Sequence, residues 1–188
     1  GHSMGGMVGQ ALLGGDSGLG DGRVAAFVAL STSSGPLPST RFGRRRAAMA
    51  NAVAQRSLHR RIRHGSSLFP GEDAATWMTR LSFGAGAEPP AVELARSQTQ
   101  SLSPTIAAEV IEPLLHFDGA EACARISVPT TVVVGSRDLL TPPRMARKLA
   151  RLLPGSELIE LAGLGHMVML EDPDALADIV DDALVATR

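Results

Sequence analysis

Two stretches in the second half of the 188-residue sequence each join a short apolar run to a segment with helical spacing, and this repetition limits the fold more than any other feature. Thr130 to Val134 (TTVVV) is followed by Arg144 to Leu153, and Glu157 to Leu161 (ELIEL) by Pro173 to Thr187. Strand then helix, repeated, requires a crossover between parallel strands, which predicts an α/β fold. Near the N-terminus Arg23 to Leu30 (RVAAFVAL) is a third apolar run, ending in the Ser/Gly/Pro cluster Ser31 to Ser39, the pattern of a strand buried on both faces. The starts of the two later helices carry signals of their own. Thr141 precedes Pro142-Pro143 and Asp172 precedes Pro173, placing a capping oxygen before a proline whose missing N–H costs nothing in a first turn.

Met4 to Leu13 (MGGMVGQALL) mixes small and apolar residues at helical spacing, with Gly14-Gly15 as the expected stop. Residues 37–125 differ in kind: helix-rich, strand-poor and broken by Pro70-Gly71, Pro89-Pro90, Pro104 and Pro113. The expected organisation is therefore a core segment over 1–36, an inserted helical cap over 37–125 and a second core segment over 126–188.

Composition narrows the function classes. With 44% hydrophobic and 20% charged residues and a net charge of −1, the whole chain has no attraction for nucleic acid or anionic lipid. Eight arginines between Arg41 and Arg63 make the early cap basic, but Phe42 is the one Phe, Trp or Tyr interleaved among them, so a solvated helix face accounts for them. Cys123 is the single cysteine, which excludes an internal disulfide and favours a reducing, cytoplasmic setting. No apolar run is long enough to span a bilayer.

Three sites carry chemistry. Gly1-His2-Ser3-Met4-Gly5 fits G-x-S-x-G immediately before a helix, where small neighbours let a serine sit on a sharp strand-to-helix turn. The N–H of Met4, at the helix start, is placed to help hold an oxyanion. In Val132 to Asp138 (VVVGSRD) an aspartate follows a strand end by three residues, at the sheet edge where α/β active sites lie. In Leu161 to Leu170 (LAGLGHMVML) a strand runs into a glycine-flanked loop carrying His166. Each has an ordinary alternative: chance, a turn aspartate paired with Arg137 or Arg144, and a loop histidine without a role. His2 is expected to turn its ring away from the reacting groups, as packing or pocket lining. Phe69, Trp77 and Phe83 are cap aromatics that could line an acyl pocket or fill the core.

The motifs GHSMGG, VVVGSRD followed by TPP, and GLGHMVMLEDPD resemble the nucleophile elbow, acid turn and histidine loop of the α/β-hydrolase superfamily, in that family's chain order. The resemblance implies a partial α/β-hydrolase fold beginning at the elbow, with the strands before the serine absent. It also implies a Ser3, His166, Asp138 triad working through an acyl-enzyme, with Met4 N–H as an oxyanion donor, no cofactor and no metal. The implied reaction is hydrolysis of a small or medium apolar carboxylic ester, impaired in a chain without the earlier strands and their second oxyanion donor. A lactonase, a C–C hydrolase, a cofactor-free haloperoxidase, or a non-catalytic remnant acting as a binding domain fit the same residues. No nucleic-acid partner and no stable membrane insertion are implied.

Overall fold

The computed structural model of the protein describes residues 1–15, 22–35, 72–101, 103, 106, 109–110, 113–114 and 116–187. Among these, three parallel strands form one sheet in the order β1 (Phe27–Leu30), β2 (Thr130–Gly135), β3 (Glu157–Leu161). β2 and β3 coincide with the apolar runs that announced them. β1 begins four residues later than the apolar run starting at Arg23. The reason lies in its partner: Phe27 N–H donates to Pro129 O at 2.9 Å, and Pro129 has no N–H with which to continue the ladder below that point.

The alternation of side chains along β2 divides the core in two. Val132 and Val134 face Phe27, Ala29, Cys123, Ile126, Ala146 and Leu149 on one side, while Val133 joins Leu30, Val168 and Ile179 on the other. Helices therefore cover both faces. On the first lie α4 (Ala120–Arg125) and α5 (Pro143–Leu152); on the second, α6 (Val168–Glu171) and α7 (Pro173–Val185). Burying both faces of a parallel sheet is what continuous Val-rich runs require.

α1 (Met4–Gly14) occupies the predicted helix and packs against β1 and α4. Gly14 permits the second contact, because a Cβ there would collide with Ala122 O. Arg125 then reaches back to donate to Gly14 O at 2.6 Å, and Cys123 Sγ lies 3.2 Å from Gln10 Oε1. The helix stops at the expected glycines, with Gly15 extended at φ −82° and ψ 166°.

Within residues 37–125 the structure describes α2 (Glu72–Leu81) and α3 (Pro89–Ser101), packed on each other. The arginine cluster of Arg41 to Arg63 and Phe69 lie outside the described residues. No described helix is long and apolar enough to cross a membrane. The two helix-start signals resolve differently. Asp172 caps α7 as expected, accepting from Ala175 N–H at 3.0 Å, whereas Thr141 caps nothing and turns its hydroxyl toward Asp138 instead.

Candidate active site

Residues 1–3 run parallel beside β1. Gly1 O accepts from Leu30 N–H and Ser3 N–H donates to Leu30 O, each at 2.9 Å, with His2 bridging Leu30. Ser3 is thus at the carboxyl end of a strand-like segment and immediately before α1. Its backbone is in the left-handed half of conformational space, with φ 51° and ψ −116°, a conformation that costs a non-glycine residue about 1–3 kcal/mol and persists only where the surroundings impose it.

What imposes it is visible in the glycines. A Cβ on Gly1 would meet Gly5 O at 2.8 Å, and one on Gly6 would meet the Thr32 side chain at 2.6 Å. Thr32 also donates its hydroxyl to Ser3 O at 2.6 Å. Gly5 differs, since a Cβ there has nothing within 4 Å. The close packing that the motif was expected to need comes from Gly1 and Gly6, not from the last glycine of G-x-S-x-G. At the start of α1 the Met4 N–H donates to no described group, as first-turn amides of a helix do when nothing caps them.

Asp138 and His166 come together from loops 28 residues apart. His166 Nδ1 lies 2.9 Å from Asp138 Oδ2, and both side chains are buried. A carboxylate accepts, so Nδ1 carries the proton and Nε2 is left with a lone pair. Asp138 is further held by Leu140 N–H at 2.9 Å and Thr141 N–H at 2.8 Å, both on Oδ1, and by Thr141 Oγ1 at 2.7 Å on Oδ2. Burial alone would raise the Asp138 pKa. The hydrogen bond and charge of His166, with the two Thr141 bonds, outweigh that and hold the carboxyl below its usual value.

The loop carrying His166 is laid against the end of β2 through backbone. A Cβ on Gly135 would collide with Gly165 O, so only glycine admits this approach. Gly163 turns the chain at φ 81°. His166 N–H donates to Ser82 O at 2.6 Å, and Glu171 accepts from Gly165 N–H at 2.9 Å and from Gly84 N–H at 2.6 Å.

The hydrogen-bond partners of His166 among the described residues are Asp138, Thr141 and Ser82, together with His2; the Ser3 hydroxyl is not one of them. Its neighbour His2 reaches the loop in its place. The two imidazole centroids are 4.7 Å apart, and His2 Nε2 is 2.9 Å from His166 O. The expectation that the His2 ring points elsewhere is therefore wrong, because the strand-like path of residues 1–3 aims the side chain across the sheet edge at the histidine loop. Burial, and after it the charge of His166, push the His2 pKa down to about 4.

Two residues of this assembly escaped the sequence reading in full. Thr141 looked like a cap, and the signal for its other role is its position three residues after the aspartate. Glu171 carried no signal, since its acceptors' partners come from residues 6 and 87 positions away. Of the aromatics, Trp77 is 71% exposed and Phe83 is buried, lining an open cavity with Arg80, Ser136, Arg137 and Leu139.

The sequence profile of the Alpha/beta hydrolase family matches residues 1–179. A pimeloyl-[acyl-carrier protein] methyl ester esterase of Neisseria meningitidis is 32% identical over 90 residues, which cover 48% of this chain and 28% of that protein. Polyketide synthase ThaQ of Burkholderia thailandensis is 29% identical over 112 residues, 55% of this chain and 5% of that one. The chain thus spans well under a third of the length of these curated relatives. Among solved structures, a thermophilic esterase from Thermogutta terrifontis superposes with a TM-score of 0.74 at 24% identity, over 99% of this chain and 63% of the esterase. With the profile match running from the serine turn through the histidine loop and into the last helix, the chain belongs to the Alpha/beta hydrolase family.

Proposed function

We propose that the chain carries the catalytic serine, acid and base of a serine hydrolase acting on carboxylic esters. Ser3 is the nucleophile, His166 the general base and Asp138 the acid that fixes the imidazole. The observation that carries this reading is the buried pair of Asp138 and His166, 2.9 Å apart, at the sheet edge where the strained turn presents Ser3. With Nδ1 committed to Asp138, Nε2 is the basic atom. It takes the proton from Ser3 Oγ as that oxygen attacks the ester carbonyl. The oxyanion develops beside the Met4 N–H, the leaving alcohol departs with the proton, and water activated by the same nitrogen releases the acid. Closing of the Ser3 to His166 distance belongs to the substrate complex, where such bonds tighten. The esterase likeness of a curated relative agrees with an ester substrate.

The test is phosphonylation by a fluorophosphonate probe, with the modified residue located by mass spectrometry. The expected adduct is on Ser3, absent from Ser3→Ala and formed at least tenfold more slowly in His166→Ala, as removal of a general base requires. The absolute rate does not decide the matter; the site does. No adduct on Ser3, or one indifferent to His166, overturns the proposal. Hydrolysis of p-nitrophenyl esters of graded chain length, with Ser3→Ala as control, then separates the acyl preferences.

A further inference from the structure

We propose that His2 is a positioning residue for His166, its Nε2–H holding the main chain of the histidine loop while its ring backs the neighbouring imidazole. The inference rests on the reading of His166 as the base and adds to it a residue outside the three reacting groups.

Consider how the peptide units around His166 are fixed. Its N–H is taken by Ser82 O, at 2.6 Å, from the segment that follows α2. Its C=O is taken by His2 Nε2, at 2.9 Å, from the segment beside β1. Two segments far apart in the chain thus hold the two polar groups of one residue, while Asp138 holds its ring. Removing any one contact frees a different motion: of the ring about its bonds, or of the loop as a whole.

His2 is suited to this task by its chemistry and its place. A carbonyl only accepts, so the bond to His166 O requires the proton of His2 on Nε2. Its own main chain cannot drift, because Gly1 O and Ser3 N–H on either side are both bonded to Leu30. The ring centroids are 4.7 Å apart with planes inclined at 54°, a tilted contact that limits the space into which the His166 ring could swing. Finally, the ring beside the base stays uncharged in neutral solution, since burial and the His166 charge push its pKa down to about 4. A cation there would oppose the imidazolium that forms when His166 takes a proton.

Two substitutions separate donor from ring. His2→Phe keeps a flat ring and removes the N–H; His2→Gln removes the ring and offers an amide N–H at similar reach. The primary readout is the ¹⁵N spectrum of the His166 imidazole in histidine-labelled protein, which reports tautomer and ring environment without any turnover. Wild type is expected to show one tautomer with Nδ1 protonated. His2→Phe is expected to show a shifted or averaged His166 signal, and His2→Gln a spectrum returned toward wild type. In the probe reaction at Ser3, His2→Phe should slow labelling about ten- to a hundredfold, the scale on which misplacement of a reacting group by about an ångström acts, and His2→Gln should recover most of it.

A His166 signal unchanged in His2→Phe overturns the proposal, as does a His2→Gln protein no better than His2→Phe in both measurements. Should His2→Phe not fold, the wild-type and His2→Gln spectra still decide: loss of the single Nδ1–H tautomer in a folded His2→Gln protein counts against the donor role. If wild type itself gives no Ser3 adduct, the hydrolase reading fails by that result, while the spectra continue to test His2.

Discussion

Thr141 shows how much one hydroxyl can be asked to do. It donates to Asp138 Oδ2 at 2.7 Å, its own N–H donates to Oδ1 at 2.8 Å, and its oxygen lies 3.3 Å from His166 Nδ1. Thr141→Val preserves shape and removes only the hydroxyl. A hydrogen bond to a charged partner in a buried site contributes about 1.5–3 kcal/mol, so the urea midpoint at neutral pH should fall by a corresponding amount. The Asp138 carboxyl should also titrate at higher pH than in wild type, which ¹³C spectra of labelled aspartate would follow. A wild-type midpoint in the variant would show that the Thr141 hydroxyl is replaceable by water. From sequence alone this threonine looked like a helix cap, because Thr before Pro-Pro is a good local cap signal. The carboxylate three residues earlier competes for the same hydroxyl and is charged, and it wins.

Elements were legible in proportion to how local their causes are. β2, β3 and α1 follow from periodicity within a dozen residues, and their observed bounds agree with it to within a residue. The start of β1 was not legible, since it is set by the proline just before another strand, about a hundred residues away. The same holds for the strap formed by Glu171, whose carboxylate at the end of α6 accepts one amide from the histidine loop and one from the segment after α2. Glu171→Ala leaves both amides without acceptors, at about 1–3 kcal/mol for each that stays out of water. The expected result is faster hydrogen exchange at Gly84 and Gly165, with α5 and its strand neighbours unaffected. Exchange raised uniformly through the chain would instead mean that Glu171 supports the whole fold and not this junction.

At the scale of the whole molecule, two groups, the half-buried His2 and the buried Asp138, make the fold sensitive to acid in successive steps. His2 has a folded pKa of about 4 against an ordinary value of 6.5, so between those values the unfolded chain binds a proton that the folded chain refuses. Stability therefore rises with pH across that window and is lost as pH falls through it, by at most about 3 kcal/mol. Asp138, held below its ordinary 3.8, contributes stability above that value and loses it as pH falls further. Urea titrations from pH 7 to 3 should show a first decline between about 6.5 and 4 that His2→Phe lacks. An equal decline in the variant would assign it to other groups. The meeting of Asp138 with His166 was the part of the site most readable from sequence, because the order of the motifs along a parallel sheet places both loops at one edge. The ring of His2 was not, because what attracts it lies 164 residues away.

The junction at Ser82 to Gly84 has a mechanical meaning. Ser82 O is tied to the His166 amide, the Gly84 amide is tied to Glu171, and the absence of a Cβ lets Gly84 lie directly on Gly163 O. No pivot can sit inside a seam held in three places, so any swing of α2 relative to the histidine loop has to turn on bonds outside those three residues.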